Sequence, residues 1–143
     1  MSAPAFAQSL LIAAGDVIVA RGAVTAQQGS SAPRILGRGA EVFSGDVLTT
    51  GSRSCVVMKL KDGTRLSLRP NTAFQIDGWQ EEPRKEGAVF RLFKGGLRAI
   101  SGAIAKRNPN AFRLETSVAT IGIRGTTFDA RLCDDECKED ANK

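Results

Sequence analysis

Arg124 has the setting that most invites chemistry. It stands in Gly122-Ile123-Arg124-Gly125-Thr126-Thr127-Phe128, a β-like alternation broken by two glycines. Glycine inside a strand marks a bulge or a close backbone approach. A guanidinium held there can present its planar fork to a carboxylate or sulfate. The same fork can instead lock the turn against an internal carboxylate, with Asp46, Asp62 and Asp129 as candidate partners. Trp79, the single tryptophan, sits beside the charged run Gln80-Glu81-Glu82. Exposed, its ring is a stacking surface for sugars or an anchor for a protein partner; buried, it packs over a hairpin end. Cys133 and Cys137 are spaced to close a small disulfide loop where the intervening residues turn, and an oxidising compartment favours that bond. The acids between them, Asp134, Asp135 and Glu136, disfavour a reactive thiolate. With Glu139 and Asp140 they supply oxygen ligands suited to calcium, but no glycine-punctuated calcium loop accompanies them, and they read as a solvated acidic tail. Cys55, in Cys55-Val56-Val57-Met58, reads as a small buried hydrophobe.

Other chemistry is excluded by what is missing. The 143 residues contain no histidine. That removes the Ser-His-Asp triad, the Cys-His dyad and histidine-ligated zinc. The adjacent pairs Glu81-Glu82 and Asp134-Asp135 point to opposite sides of an extended chain, so neither pair can flank one glycosidic bond. Lys94-Gly95-Gly96 lacks the helix start that would make it a phosphate loop. No catalytic residue, metal site or cofactor is therefore expected, and the chain is not read as an enzyme. Twenty Lys and Arg against 15 Asp and Glu leave a net charge of +5. The basic residues are scattered singly without stacking partners, which argues against nucleic acid. A general attraction to anionic surfaces, whether polysaccharide, cell wall or lipid headgroups, fits the charge.

The elements that must carry these residues have a period of two. Val56, Met58 and Leu60 alternate with Lys59 and Lys61; Leu66 and Leu68 with Arg65, Ser67 and Arg69; Phe74 and Ile76 with Gln75 and Asp77; Phe112 and Leu114 with Arg113 and Glu115. Val17 and Val19 alternate with Ile18 and Ala20, as in a strand buried on both faces. Turn signals separate the runs: Ser44-Gly45-Asp46, Asp62-Gly63, Arg69-Pro70-Asn71 and Lys94-Gly95-Gly96. Asp62-Gly63 between two alternating runs predicts a two-residue hairpin with positive φ at both centres. Leu97, Ile100 and Ile104 have helical spacing, weakened by Ser101-Gly102, and Gln27 to Pro33 and Gln80 to Gly87 read as loops. Together these predict an all-β domain of short antiparallel strands in a sandwich or roll, with a β-helix-like stack as the alternative.

One domain is expected at this length. Residues 1–8 read as a signal-peptide remnant or tail, because Ala5-Phe6-Ala7 is an A-x-A cleavage pattern, although the charged and apolar regions of a signal are missing. Residues 9–132 form the β domain, and 133–143 an acidic tail or the lead into a further domain. No stretch approaches the length of a membrane span.

Four segments resemble the FecR domain. They are Gly45-Asp46-Val47-Leu48-Thr49-Thr50, Lys61-Asp62-Gly63-Thr64-Arg65-Leu66-Ser67-Leu68, Gly95-Gly96-Leu97, and Thr116 to Phe128, in which Gly-Ile-Arg-Gly-Thr-Thr-Phe is the most specific. The likeness runs from about Gly15 to Leu132. It implies an extracytoplasmic all-β domain of bacteria, which in the name-giving members follows an anti-sigma segment and a membrane helix and relays siderophore signals. Neither of those segments is found here, so the chain looks more like the soluble or multidomain envelope members. The expectation is a non-catalytic periplasmic interaction module that senses or scaffolds through another envelope protein. The alternative is a module for an anionic glycan such as peptidoglycan. Trp79 and Arg124 are the candidate contacts.

Overall fold

The computed structural model describes residues 11–80, 86–108, 110–122 and 127–132. Among the described residues, thirteen strands and one short helix occur in the order β1 (Ala13–Arg21), β2 (Val24–Gln28), β3 (Arg34–Ile35), β4 (Glu41–Phe43), β5 (Asp46–Thr50), β6 (Cys55–Leu60), β7 (Arg65–Leu68), β8 (Ala73–Gln80), β9 (Gly87–Lys94), β10 (Gly96–Ile100), α1 (Ala103–Arg107), β11 (Phe112–Glu115), β12 (Thr120–Gly122) and β13 (Thr127–Arg131). They form a six-stranded sheet, β13-β10-β7-β6-β1-β4, and a seven-stranded sheet, β12-β11-β9-β8-β5-β2-β3. The all-β sandwich expected from the period-two pattern is what forms. One pair departs from the antiparallel rule: β9 and β11 run parallel. A parallel pair needs a crossover, and β10 with α1 supplies it.

The alternation builds the core directly. Val56, Met58, Leu60, Leu66, Leu68, Leu97 and Ala99 of one sheet face Leu48, Phe74, Ile76, Phe90, Leu92, Phe112 and Leu114 of the other, all buried. In β1 the register slips between Val17 and Val19. The slip leaves Val17 in the core and turns Val19 outward, 39% exposed. The strand expected to be buried on both faces is thus buried on one. Leu97 and Ile100 lie in β10, and only Ala103–Arg107 is helical, because Gly102 is pressed against the β6–β7 turn: a Cβ there would sit 2.4 Å from the Thr64 nitrogen. Gln27 and Gln28, expected in a loop, end β2.

Most turns do not make hairpins. Ser44-Gly45-Asp46, Arg69-Pro70-Asn71 and Gly95 each carry the chain from one sheet to the other. Gly95 has φ +82°, and a Cβ on it would lie 2.3 Å from Thr72 Oγ1. That approach lets the Gly96 N–H donate to Thr72 Oγ1 while the Thr72 hydroxyl donates to the Gly96 carbonyl, both at 3.1 Å. Thr50 Oγ1 accepts from the Thr72 N–H at 3.0 Å, so buried hydroxyls satisfy the backbone where strands change sheets.

Candidate interaction site

Asp46 opens β5 and its carboxylate is fully buried. Gly45, at φ +92°, turns the chain so that this carboxylate points back across β4. Oδ1 accepts from Arg34 Nη1 and Gln28 Nε2, both at 3.0 Å; Oδ2 accepts from Arg34 Nη2 and from the Phe43 N–H at 2.8 Å. The Arg34 guanidinium also lies over the Phe43 ring, 5.2 Å from its centre. Every lone-pair direction of the carboxylate is occupied, so Asp46 is a structural clamp and not a ligand site.

Asp62 and Gly63 join β6 to β7 as expected, but in a longer turn. The Gly63 N–H donates to the Leu60 carbonyl at 2.9 Å, and the Leu60 N–H to the Thr64 carbonyl at 2.8 Å. Gly63 has φ +92° and Asp62 does not share the positive region. The two-residue turn with two positive φ values is therefore replaced by a type I-like turn closed by a left-handed glycine. The Asp62 side chain has other work: it accepts from the Thr64 N–H and hydroxyl, and Oδ2 meets the Ile104 N–H at 3.4 Å. The turn thereby docks the start of α1.

Trp79 corrects the expectation of an exposed contact. It is 1% exposed and stacks on Phe112 with ring centres 5.7 Å apart. Phe112 stacks in turn on Phe90 at 5.3 Å. Strict alternation from Phe74 and Ile76 would turn position 79 outward; a slip between Asp77 and Gln80 in the β8–β9 register returns the ring to the core. Cys55 departs in the other direction. It is only partly buried and carries no disulfide among the described residues. Gly122 pairs with Arg113 at the edge of the seven-stranded sheet. Arg124, Gly125, Thr126, Cys133 and Cys137 lie outside the described residues, as do the acids of 134–140. The described chain leaves β12 at the edge of one sheet and resumes in β13 at the edge of the other. Of the three carboxylates considered for Arg124, Asp46 is held by Arg34, Asp62 accepts from the Thr64 hydroxyl, and Asp129 lies 3.9 Å from Arg98.

The surface feature that sequence reading missed lies at this end of the sandwich. The β8–β9 ladder steps from Phe74 opposite Leu92 to Ala73 opposite Lys94, so Phe93 is the extra residue of a bulge. Bulges re-aim side chains, and Phe93 stands 55% exposed. Beside it, Thr116 shapes the turn from β11 to β12: its hydroxyl oxygen accepts from the Val118 N–H at 3.2 Å and the Ala119 N–H at 3.0 Å. The turn presents Val118 at its tip, 82% exposed. An open groove of about 560 Å³ runs between Phe93, Lys94, Gly95, Ser117, Val118, Arg131 and Leu132. A second hollow of about 260 Å³ continues it along Arg91, Leu92, Glu115 and Thr116. The signal available in the sequence was Phe93 itself, an apolar residue out of phase with Phe90 and Leu92.

The groove's polar wall is a chain of charges across three strands. Arg91 pairs with Asp77 at 2.9 Å and Glu115 at 3.2 Å, and Arg113 pairs with Glu115 at 3.1 Å. The Arg91 guanidinium, donating to Glu115, holds that carboxyl below its usual range; Arg113 adds to this and partial desolvation opposes it. Arg107 does the same to Glu86. A carboxyl held low in the folded chain contributes stability above its unfolded value, and the contribution is lost as pH falls through the lower folded value. The melting temperature is therefore expected to fall on acidification below about pH 4, and to fall less steeply in Glu115→Gln. Parallel slopes for the two proteins would show that the network carries no linkage.

The site offers apolar area, a paired polar wall and sheet edges. Among the described residues, no group of three or more acids or cysteines is placed to hold a metal ion, and no helix is long and apolar enough to cross a membrane. No curated protein and no solved structure matches the chain. A family model does, described as FecR protein, over residues 46–140. The match begins on the clamped Asp46 and takes in the Asp62 turn, the sheet-switching Gly95-Gly96 and both strands that flank Arg124, and this chain belongs to the FecR family.

Proposed function

We propose that this chain is a non-catalytic interaction module of the bacterial envelope, working on the periplasmic side, which takes part in signalling by binding another envelope protein at the Phe93–Val118 groove. FecR proteins are a signalling and sensing family, and such work requires a protein contact. The observation that carries the site is the pair of exposed apolar side chains, Phe93 on a bulge and Val118 on a hydroxyl-braced turn. Neither side chain belongs to the buried core, and the bulge and the braced turn direct both outward. Exposed apolar groups rimmed by polar residues mark interaction surfaces. The glycan alternative loses its stacking ring with the burial of Trp79.

A photo-crosslinking residue placed at Phe93 or Val118, in cells of the source bacterium, should give one discrete adduct shared by both positions. The same residue at Arg38, exposed on the β3–β4 connection, should not give it. Identical adduct patterns from all three positions, or none from the first two, would reject this site.

A further inference from the structure

The basic residues that look scattered along the chain are gathered by the pleat of the six-stranded sheet. Between the buried positions of β6, β7 and β10, the outward side chains include Lys59, Arg65 and Arg98, all exposed. Register places Lys59 directly opposite Arg65 and Arg98 opposite Ser67. Arg21 ends β1 opposite Cys55. Just past β7, Arg69 reaches over Gly96 toward β13: a Cβ on Gly96 would lie 3.2 Å from both Arg69 Cδ and Arg131 Cγ. Two arginine stems thus lie side by side over bare backbone.

This arrangement has a cost. Like charges directly opposite in a ladder destabilise it, and among the described residues Lys59, Arg65 and Arg69 have no carboxylate oxygen within 4.0 Å. The acids on this face are Asp16, directly opposite Lys59 on the next strand, Glu41 beyond it, and Asp129 opposite Arg98, which leaves Arg65 and Arg69 as the cations with no acid across the ladder. The outer face of the seven-stranded sheet differs, because Asp77, Arg91, Glu115 and Arg113 neutralise one another there.

The geometry also limits the partner. No aromatic residue lies on β6, β7 or β10, so no ring is offered to a base or sugar. The groove described above is lined from elsewhere. The cations spread in two dimensions over neighbouring strands about 4.8 Å apart, which suits a planar array of negative charge better than a single threaded polymer. We infer that the outer face of the six-stranded sheet docks on an anionic lipid surface, with Lys59, Arg65 and Arg69 at its centre meeting phosphate headgroups. Val19 and Ile100, the partly exposed apolar residues of this face, are too small to anchor by insertion. The attachment is electrostatic and weakens with salt.

Co-sedimentation of the full chain with vesicles tests this. Binding is expected to vesicles of equal parts phosphatidylglycerol and phosphatidylcholine at low salt, and not to phosphatidylcholine alone. The triple variant Lys59→Gln, Arg65→Gln, Arg69→Gln should bind about 100-fold more weakly, at about fivefold per charge. The control Arg38→Gln, Lys94→Gln, Lys106→Gln carries the same net charge on other surfaces and should keep most of the binding. Thermal melts check folding; the face variant should melt close to the parent, since Lys59→Gln removes both a like charge opposite Arg65 and an opposite charge facing Asp16. Equal losses in both triples would reduce the effect to net charge and overturn the assignment. So would failure of the parent to bind the anionic vesicles, or face-dependent retention on insoluble peptidoglycan with none on vesicles.

Discussion

Arg34→Met is expected to destabilise the fold by about 3–5 kcal/mol, more than removal of its partner Asp46. The reasoning rests on which charge is left behind. Asp46 has no exposed side-chain surface, whereas Arg34 is 36% exposed. Without Arg34, a buried carboxylate keeps only the Gln28 amide and the Phe43 N–H, and an uncompensated buried charge costs about 3–5 kcal/mol. Asp46→Ala leaves a guanidinium that can turn toward water. Its cost is the two donors orphaned at Gln28 and Phe43, about 1–3 kcal/mol. For a chain of this size the larger loss lowers the melting temperature by on the order of 10 °C. The paired change Arg34→Met with Asp46→Ala should cost less than the two single losses added, because neither charge is stranded. Equilibrium denaturation of the three variants gives the cycle. Additive losses, or a larger loss in Asp46→Ala than in Arg34→Met, would mean that the clamp works through its neutral hydrogen bonds instead.

That clamp shows how far a one-dimensional pattern reaches. Alternation located most strands because each strand buries one face, and burial is written residue by residue. The Gly45-Asp46 signal was legible as a turn. Its meaning was not, because the residues that give it one, Arg34 and Gln28, belong to β3 and β2. The segments at Gly45 and Gly95 are legible as turns, yet they pass the chain between sheets, and at Gly95 the passage is braced by the Thr72 hydroxyl against Gly96. The candidate sites fared worse for a related reason. Phe93 and Val118 are exposed through a register slip and a hydroxyl-braced turn, neither of which changes composition. Lys59, Arg65 and Arg98 looked solitary because the register between β6, β7 and β10, not sequence proximity, makes them neighbours. In a sheet protein the inward residues are announced by their period. The outward ones acquire meaning only after strand order is known.

Trp79 carries the second large effect, and it separates a structural ring from a binding ring. Its side chain is among the largest that the core encloses, stacked on Phe112, which continues to Phe90 and then to Phe74 at 5.7 Å. Truncation to alanine removes that contact area and leaves a cavity between the sheets, for an expected loss of about 3–5 kcal/mol. Trp79→Phe should cost much less. It keeps an aromatic against Phe112, and it removes an indole N–H that is buried without a hydrogen-bond partner among the described residues, a group whose isolation costs free energy in the parent. The sign of the difference is therefore informative: a phenylalanine variant within about 1.5 kcal/mol of the parent fits a site where shape dominates. The parent's emission should be blue-shifted and poorly accessible to iodide, since the ring is 1% exposed. Red-shifted, readily quenched emission together with an alanine variant as stable as the parent would return Trp79 to the surface and restore it as a stacking platform.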